Sequence, residues 1–130
     1  MRILLDTQVW LWMLAAPERL SESSRALVRS VDNELLLSAA SAWEIAIKHA
    51  LGKIRLPEAP ARYVPSRMEI LRTSPLPIEH EHALRVAVLP PLHRDPFDRL
   101  LIAQAQIEDL PILTADPVFE RYDITVIEAG

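Results

Sequence analysis

The 130-residue chain contains no cysteine. Disulfides, thiolate zinc sites and cysteine nucleophiles are therefore excluded. Only two glycines occur, Gly52 and Gly130, which removes the glycine-rich phosphate loop and the dinucleotide-binding fingerprint. The same scarcity leaves no Gly-x-Ser-x-Gly elbow for a serine hydrolase. No apolar run approaches the roughly 20 residues needed to span a bilayer. Met1-Arg2-Ile3-Leu4-Leu5 reaches Asp6 too soon to serve as a signal peptide. A cytoplasmic location without membrane contact is expected. A basic excess is also missing: the net charge is −4, which argues against a broad basic surface gripping nucleic acid non-specifically. An acidic metal site within a smaller basic rim stays compatible, because a bound cation reverses the local field.

Half the residues are apolar and a quarter are charged, the balance of an ordinary globular protein. The length predicts one domain over residues 1–130, able to bury roughly two thirds of its unfolded surface. Short apolar runs alternate with helix-period segments. Strands are expected at 2–6, 34–38, 72–76, 112–114 and 124–127, the third weakened by its prolines. Helices are expected from Thr7 to Ala15, from Ser21 with Ala26, Leu27 and Val31 on one side, and over 40–51, 61–71, 79–89 and 98–107. A short helical turn follows Pro117. Gly52 stops the 40–51 helix, where a left-handed residue costs little. This alternation predicts an α/β fold, a parallel sheet with helices on both faces.

Four acids sit where an apolar run gives way to a helix start: Asp6, Glu44, Asp98 and Asp116. Each has a local explanation as a cap. Asp6 precedes the helix at Thr7. Ser41-Ala42-Trp43-Glu44 has capping-box spacing. Asp95-Pro96-Phe97-Asp98 reads as an N-cap, a first-turn proline and an acid at the third helical position, and Asp116-Pro117 as an N-cap and proline. Yet Ser, Thr, Asn and Asp cap with similar efficiency, and here the choice falls on an acid each time. Such junctions share the carboxyl edge of a parallel sheet. Carboxylates within about 5 Å raise one another's pKa unless a cation holds them. Helix dipoles offset about 0.3–1 kcal/mol each; a hard cation offsets more. Magnesium fits carboxylate and water ligands, and manganese accepts the same set.

Other side chains are weaker candidates. Lys48 lies four residues after Glu44, the spacing of an ordinary helical ion pair, or else faces phosphate at the mouth of the site. Arg94 and Arg99 flank the third acid and are candidate contacts to a phosphodiester backbone, though arginines near a helix start are also common on exposed surfaces. His93, two residues before Asp95, reads first as a loop histidine and second as a contact to metal or substrate; His49, His80 and His82 carry no assigned chemistry. The Thr7 and Thr114 hydroxyls stand beside two of the acids. Trp10, Trp12 and Trp43 read as core or interface residues rather than base-stacking platforms.

Four blocks together resemble PIN-domain ribonucleases of the VapC toxin type. They are Leu4-Leu5-Asp6-Thr7-Gln8-Val9-Trp10-Leu11-Trp12, Ser38 to Lys48 with Gly52-Lys53-Ile54, His93-Arg94-Asp95-Pro96-Phe97-Asp98-Arg99-Leu100-Leu101-Ile102-Ala103-Gln104-Ala105, and Leu110 to Asp116. The resemblance implies a five-stranded parallel sheet in a three-layer α/β/α fold. It also implies a magnesium- or manganese-dependent endoribonuclease, a VapB-type antitoxin as inhibitor and a homodimer. Asp6, Glu44, Asp98 and Asp116 fall on its acidic positions, with Thr7 and Thr114 beside them and Asp95 in support. Gln8 departs from the histidine of many relatives. On this reading Asp6 and Asp98 ligate the metal directly, while Glu44 and Asp116 act through water or a second ion. Two rivals are a catalytically silent PIN-like scaffold that binds a protein partner and a haloacid-dehalogenase-type phosphatase. The phosphatase needs a second aspartate two residues after the first, where Gln8 stands.

Overall fold

The computed structural model describes residues 1–130. Five strands form one sheet in the order β3-β2-β1-β4-β5. They are β1 (Arg2–Leu5), β2 (Glu34–Ser38), β3 (Thr73–Leu76), β4 (Ile112–Thr114) and β5 (Val126–Glu128). Every pairing is parallel, with Ile3 opposite Leu35, Leu5 opposite Leu113, Leu36 opposite Ser74 and Ile112 opposite Val126. The α-helices are α1 (Thr7–Ala15), α2 (Glu22–Arg29), α3 (Ala39–Ala50), α4 (Pro60–Leu71), α5 (His80–Arg85) and α6 (Pro96–Glu108). None is long and apolar enough to cross a membrane.

The central strands read as unbroken apolar runs because both their faces are covered. Ile3, Leu5, Leu35, Leu37 and Leu113 point into one core with Val9, Trp10, Ile45 and Tyr63. Leu4, Leu36 and Ile112 point into the other, with Leu101, Ile102 and Phe119. Pro75 is tolerated because β3 is an edge strand, where a missing N–H removes no inner ladder bond. The chain winds outward from β1 through β2 to β3, then crosses back to lay β4 on the other side of β1. The sheet therefore reverses its winding between β1 and β4, the place where open parallel sheets form a ligand crevice at their carboxyl edge.

Several boundaries differ from the sequence expectation. Helix α3 starts at Ala39 with Ser38 as its N-cap, the hydroxyl accepting from the Ala40 amide at 2.9 Å. The capping box between Ser41 and Glu44 is therefore not formed, and Glu44 lies in the second turn. Helix α2 ends at Arg29, leaving Val31 outside it and 84% exposed rather than on its apolar side. The helix expected over 79–89 tightens into a 3₁₀ turn at Val86–Val88. The last strand starts two residues later and ends one later than the apolar pattern suggests, with Ile124 outside it and packed against the core. The end of α3 follows the sequence. Gly52 has φ +71°, with its N–H donating to His49 O at 3.0 Å and Lys53 N–H to Lys48 O at 2.8 Å. This paired Schellman closure needs the left-handed residue.

Candidate active site

All four sequence-flagged acids line one cavity of about 350 Å³ at the carboxyl edge of the sheet. Asp6 follows β1, Glu44 rises from α3 behind β2, Asp98 stands in the first turn of α6, and Asp116 follows β4. Thr7, Asp95 and Lys48 line the same cavity, and Gln8, Leu11, Trp12, Ile45 and Ile54 supply most of the rest of its wall. A larger cavity of about 650 Å³, lined by residues such as Arg25, Arg29 and Ile70, lies at the opposite edge and receives none of these acids.

Asp6 occupies the N-cap position of α1 yet makes no side-chain cap bond. The Gln8 amide is close enough to lower its pKa slightly without meeting hydrogen-bond geometry. Its Oδ2 instead accepts from the Thr114 hydroxyl at 2.8 Å, and Thr114 Oγ1 accepts from the Asp116 amide at 3.0 Å. One hydroxyl on β4 thus fixes the acid of β1 and the backbone of the fourth acid. Burial pushes the Asp6 carboxyl up to about 6, against the Thr114 bond, with Glu44 and Asp116 repulsion adding to the rise. Burial also pushes Asp98 up to about 7; His93 opposes the shift, while Asp6, Asp95 and Glu44 reinforce it.

Glu44 is buried, and its Oε2 accepts from Lys48 one turn on. The bond to Glu44 is the main cause holding the Lys48 pKa above its ordinary value. Glu44 Oε1 is buried with no hydrogen-bond partner. An orphaned carboxylate oxygen is costly in a protein interior. Two elevated carboxyls and that oxygen in one cleft fit a hard cation with oxygen ligands.

Asp95 caps α6, accepting from the Asp98 amide at 3.0 Å, and Asp116 caps the following 3₁₀ turn, accepting from the Val118 amide at 3.0 Å. Both acids are caps and cleft residues at once. Thr7 lines the cavity, but its hydroxyl donates to Ser41 at 2.7 Å and ties α1 to α3.

Arg99 does not present its guanidinium to a substrate. It donates to the carbonyls of Val86, Leu89, Pro90 and His93 and to the Tyr122 hydroxyl. Arg94 is exposed and is not part of the cavity wall. Arg99→Lys loses the planar fork that holds several acceptors together. It is expected to cost about 1–2 kcal/mol of stability; thermal unfolding with an unchanged midpoint would refute the role.

The residue that sequence reasoning undervalued is His93. Its Nε2 lies 2.7 Å from Asp98 Oδ2. Ligand atoms of His93, Asp98 and Asp116 all lie within 4.8 Å of one another. The signal available in the sequence was its place two residues before the Asp95 cap; the bonds from Arg99 and Tyr122 to the Pro90 and His93 carbonyls, which hold the loop against α6, are not legible there. Of the tryptophans, Trp10 is fully buried, Trp12 lines the cleft, and Trp43 is 54% exposed with its ring edge-on to Phe97 at 5.0 Å.

The family model for the PIN domain matches residues 3–124. Ribonuclease VapC16 of Mycobacterium tuberculosis (strain ATCC 25618 / H37Rv) is 58% identical over 59 residues, spanning 45% of this chain and 42% of that protein. The chain thus matches less than half the length of this relative. Among solved structures, the Rickettsia felis VapBC2 complex bound to a promoter DNA fragment superposes with a TM-score of 0.72 at 14% identity, over 100% of both chains. The DNA-bound VapBC of Salmonella typhimurium gives a TM-score of 0.70 at 18% identity, over 98% of each chain. At these identities the superpositions speak for the fold.

Proposed function

The chain belongs to the PIN-domain family, and from that membership we propose that it is a divalent-metal-dependent endoribonuclease, the toxin of a VapBC-type pair. The observation that carries the reading is the convergence of Asp6, Glu44, Asp98 and Asp116 on one cleft, with a buried carboxylate oxygen lacking a partner. The similarity to Ribonuclease VapC16 supports the RNA substrate. The haloacid-dehalogenase-type alternative falls with the family match. A silent scaffold has no need of four acids in one cleft.

In this reading Asp6 and Asp98 hold Mg²⁺ or Mn²⁺ directly, and Glu44 and Asp116 complete the shell through water or a second ion. Bound there, the cation supplies Lewis acidity toward water and the scissile phosphodiester. Thr114 keeps Asp6 oriented through its 2.8 Å bond. Lys48 stays cationic beside Glu44 and, with the exposed Arg94, attracts the phosphate backbone. Asp95 fixes the start of α6 and so the height of Asp98 in the cleft. The domain of residues 1–130 acts as one nuclease unit in the cytoplasm, as a homodimer, held inactive by a VapB-type antitoxin.

The test is cleavage of a single-stranded RNA by the purified protein. Cleavage is expected with Mg²⁺ or Mn²⁺, is lost on chelation and returns when the ion is restored. Chelator-resistant cleavage sinks the metal assignment, and no cleavage with either ion sinks the enzyme reading. Light scattering is expected to give twice the 14.7 kDa chain mass.

A further inference from the structure

Resting on the metal-dependent reading above, we propose that His93 is a nitrogen ligand that makes one cation position in this cleft selective for Mn²⁺ over Mg²⁺. The four acids alone would form an all-oxygen site, to which both ions are suited. An imidazole changes that balance, because Mg²⁺ prefers oxygen donors and transition ions accept nitrogen more readily.

The geometry supporting the assignment is local and rigid. His93 Nε2 reaches Asp98 Oδ2 at 2.7 Å, and one ligand atom from each of His93, Asp98 and Asp116 falls inside a 4.8 Å span. These residues come from three segments tied to one another. Arg99, one residue past Asp98, donates to the His93 carbonyl at 3.4 Å and the Pro90 carbonyl at 2.9 Å. Tyr122, just after the 3₁₀ turn that Asp116 caps, donates to the same Pro90 carbonyl at 3.0 Å. The loop carrying the histidine is thus anchored by the two elements that carry the acids. The His93 side chain is 22% exposed and stands beside the cavity, against Asp98 and Asp116 of its wall. Across the cleft, the partnerless Glu44 Oε1 independently marks the same cavity as a place for a ligand. Asp98 lines one cavity with Asp6 and Glu44, and its Oδ2 meets His93 Nε2 at 2.7 Å. Asp98 would then be shared between an oxygen-only position near Asp6 and Glu44 and a mixed position near His93 and Asp116.

The experiment uses the full chain with Mn²⁺ alone and Mg²⁺ alone, by calorimetry and by pulsed electron paramagnetic resonance of bound Mn²⁺. Nitrogen coupling to Mn²⁺ is expected in the wild type and is absent from His93→Ala. That substitution lowers Mn²⁺ affinity by about tenfold or more while Mg²⁺ affinity stays within about twofold. His93→Gln keeps an N–H donor at about the reach of Nε2 toward Asp98 but offers no imidazole nitrogen. It is expected to behave as His93→Ala does, and recovery of Mn²⁺ affinity in His93→Gln would reduce His93 to a positioning residue and overturn the assignment. Circular dichroism of both variants confirms that the fold is kept. Mn²⁺ binding to the wild type without nitrogen coupling overturns this inference and leaves the nuclease reading standing. Absence of any Mn²⁺ or Mg²⁺ binding overturns both.

Discussion

Asp6→Asn and Asp98→Asn are each expected to reduce RNA cleavage by roughly a thousandfold or more, the scale seen when a preorganised charge-stabilising group is removed. Each substitution keeps the shape of the side chain and removes its charge. In Asp6→Asn the amide oxygen still accepts from the Thr114 hydroxyl that now holds Oδ2. In Asp98→Asn the backbone N–H still donates to Asp95, so the start of α6 is unchanged. A thousandfold loss corresponds to about 4 kcal/mol of lost transition-state stabilisation. The fold should not pay for it. Asp6 is buried and titrates near 6 because its ionised form is poorly solvated, so a neutral amide removes a cost from the metal-free protein. The expected phenotype is therefore an inactive variant with an equal or higher melting temperature in chelator at pH 8. Cleavage assays beside thermal melts check both halves. Wild-type cleavage rates in both variants would remove the acids from the chemistry.

The same residues show how far the sequence could be read. Asp95 and Asp116 cap where the sequence said they would, because an acid followed by proline leaves few alternatives to a helix start. Asp6 holds the N-cap position of α1 without a side-chain cap bond, and its Oδ2 is engaged by Thr114, more than a hundred residues away, a contact no local spacing encodes. Glu44 lines the same cavity as the other acids, while the capping box offered as its local explanation is not formed. Ser38 and Ser41 both offer cap spacing, and the choice between them is made by tertiary packing. Ser41 is fully buried against Thr7, while Ser38 accepts from the Ala40 amide and donates to Gln104. Arg99 beside an acid suggested a phosphate contact, but the carbonyls it binds belong to loop geometry that no spacing encodes. Alternating strands and helices gave the parallel sheet. They could not give the strand order, which is what brings Asp6 and Asp116 to adjacent strands.

The metal-free protein should lose stability as pH rises from about 4 to 7, the reverse of the usual behaviour of salt-bridged carboxylates. Asp6 is raised from 3.8 to about 6 and Asp98 from 3.8 to about 7, in both cases chiefly by burial. Between the unfolded and folded values, the native state keeps protons that the unfolded chain releases. Raising pH therefore favours unfolding through that window, and the slope ends once both groups are ionised in the native state. For Asp6 alone the linkage is on the order of 3 kcal/mol; the two carboxyls face each other, so their contributions do not simply add. A divalent cation acts in the opposite direction, because it binds the deprotonated cleft. At pH 8 and a hundred times its dissociation constant it would add about 2.7 kcal/mol, a rise of several degrees in melting temperature for a chain of this size. At pH 5 the same ion must displace protons from Asp6 and Asp98, so its increment shrinks. Asp98→Asn flattens the metal-free slope and weakens the cation response together, since one carboxylate underlies both. Melting curves at pH 5 and pH 8, with chelator or with Mn²⁺, test the linkage directly. A metal-free midpoint that does not fall with pH, or a Mn²⁺ increment equal at both pH values, would show that the buried carboxyls and the cation do not share one site.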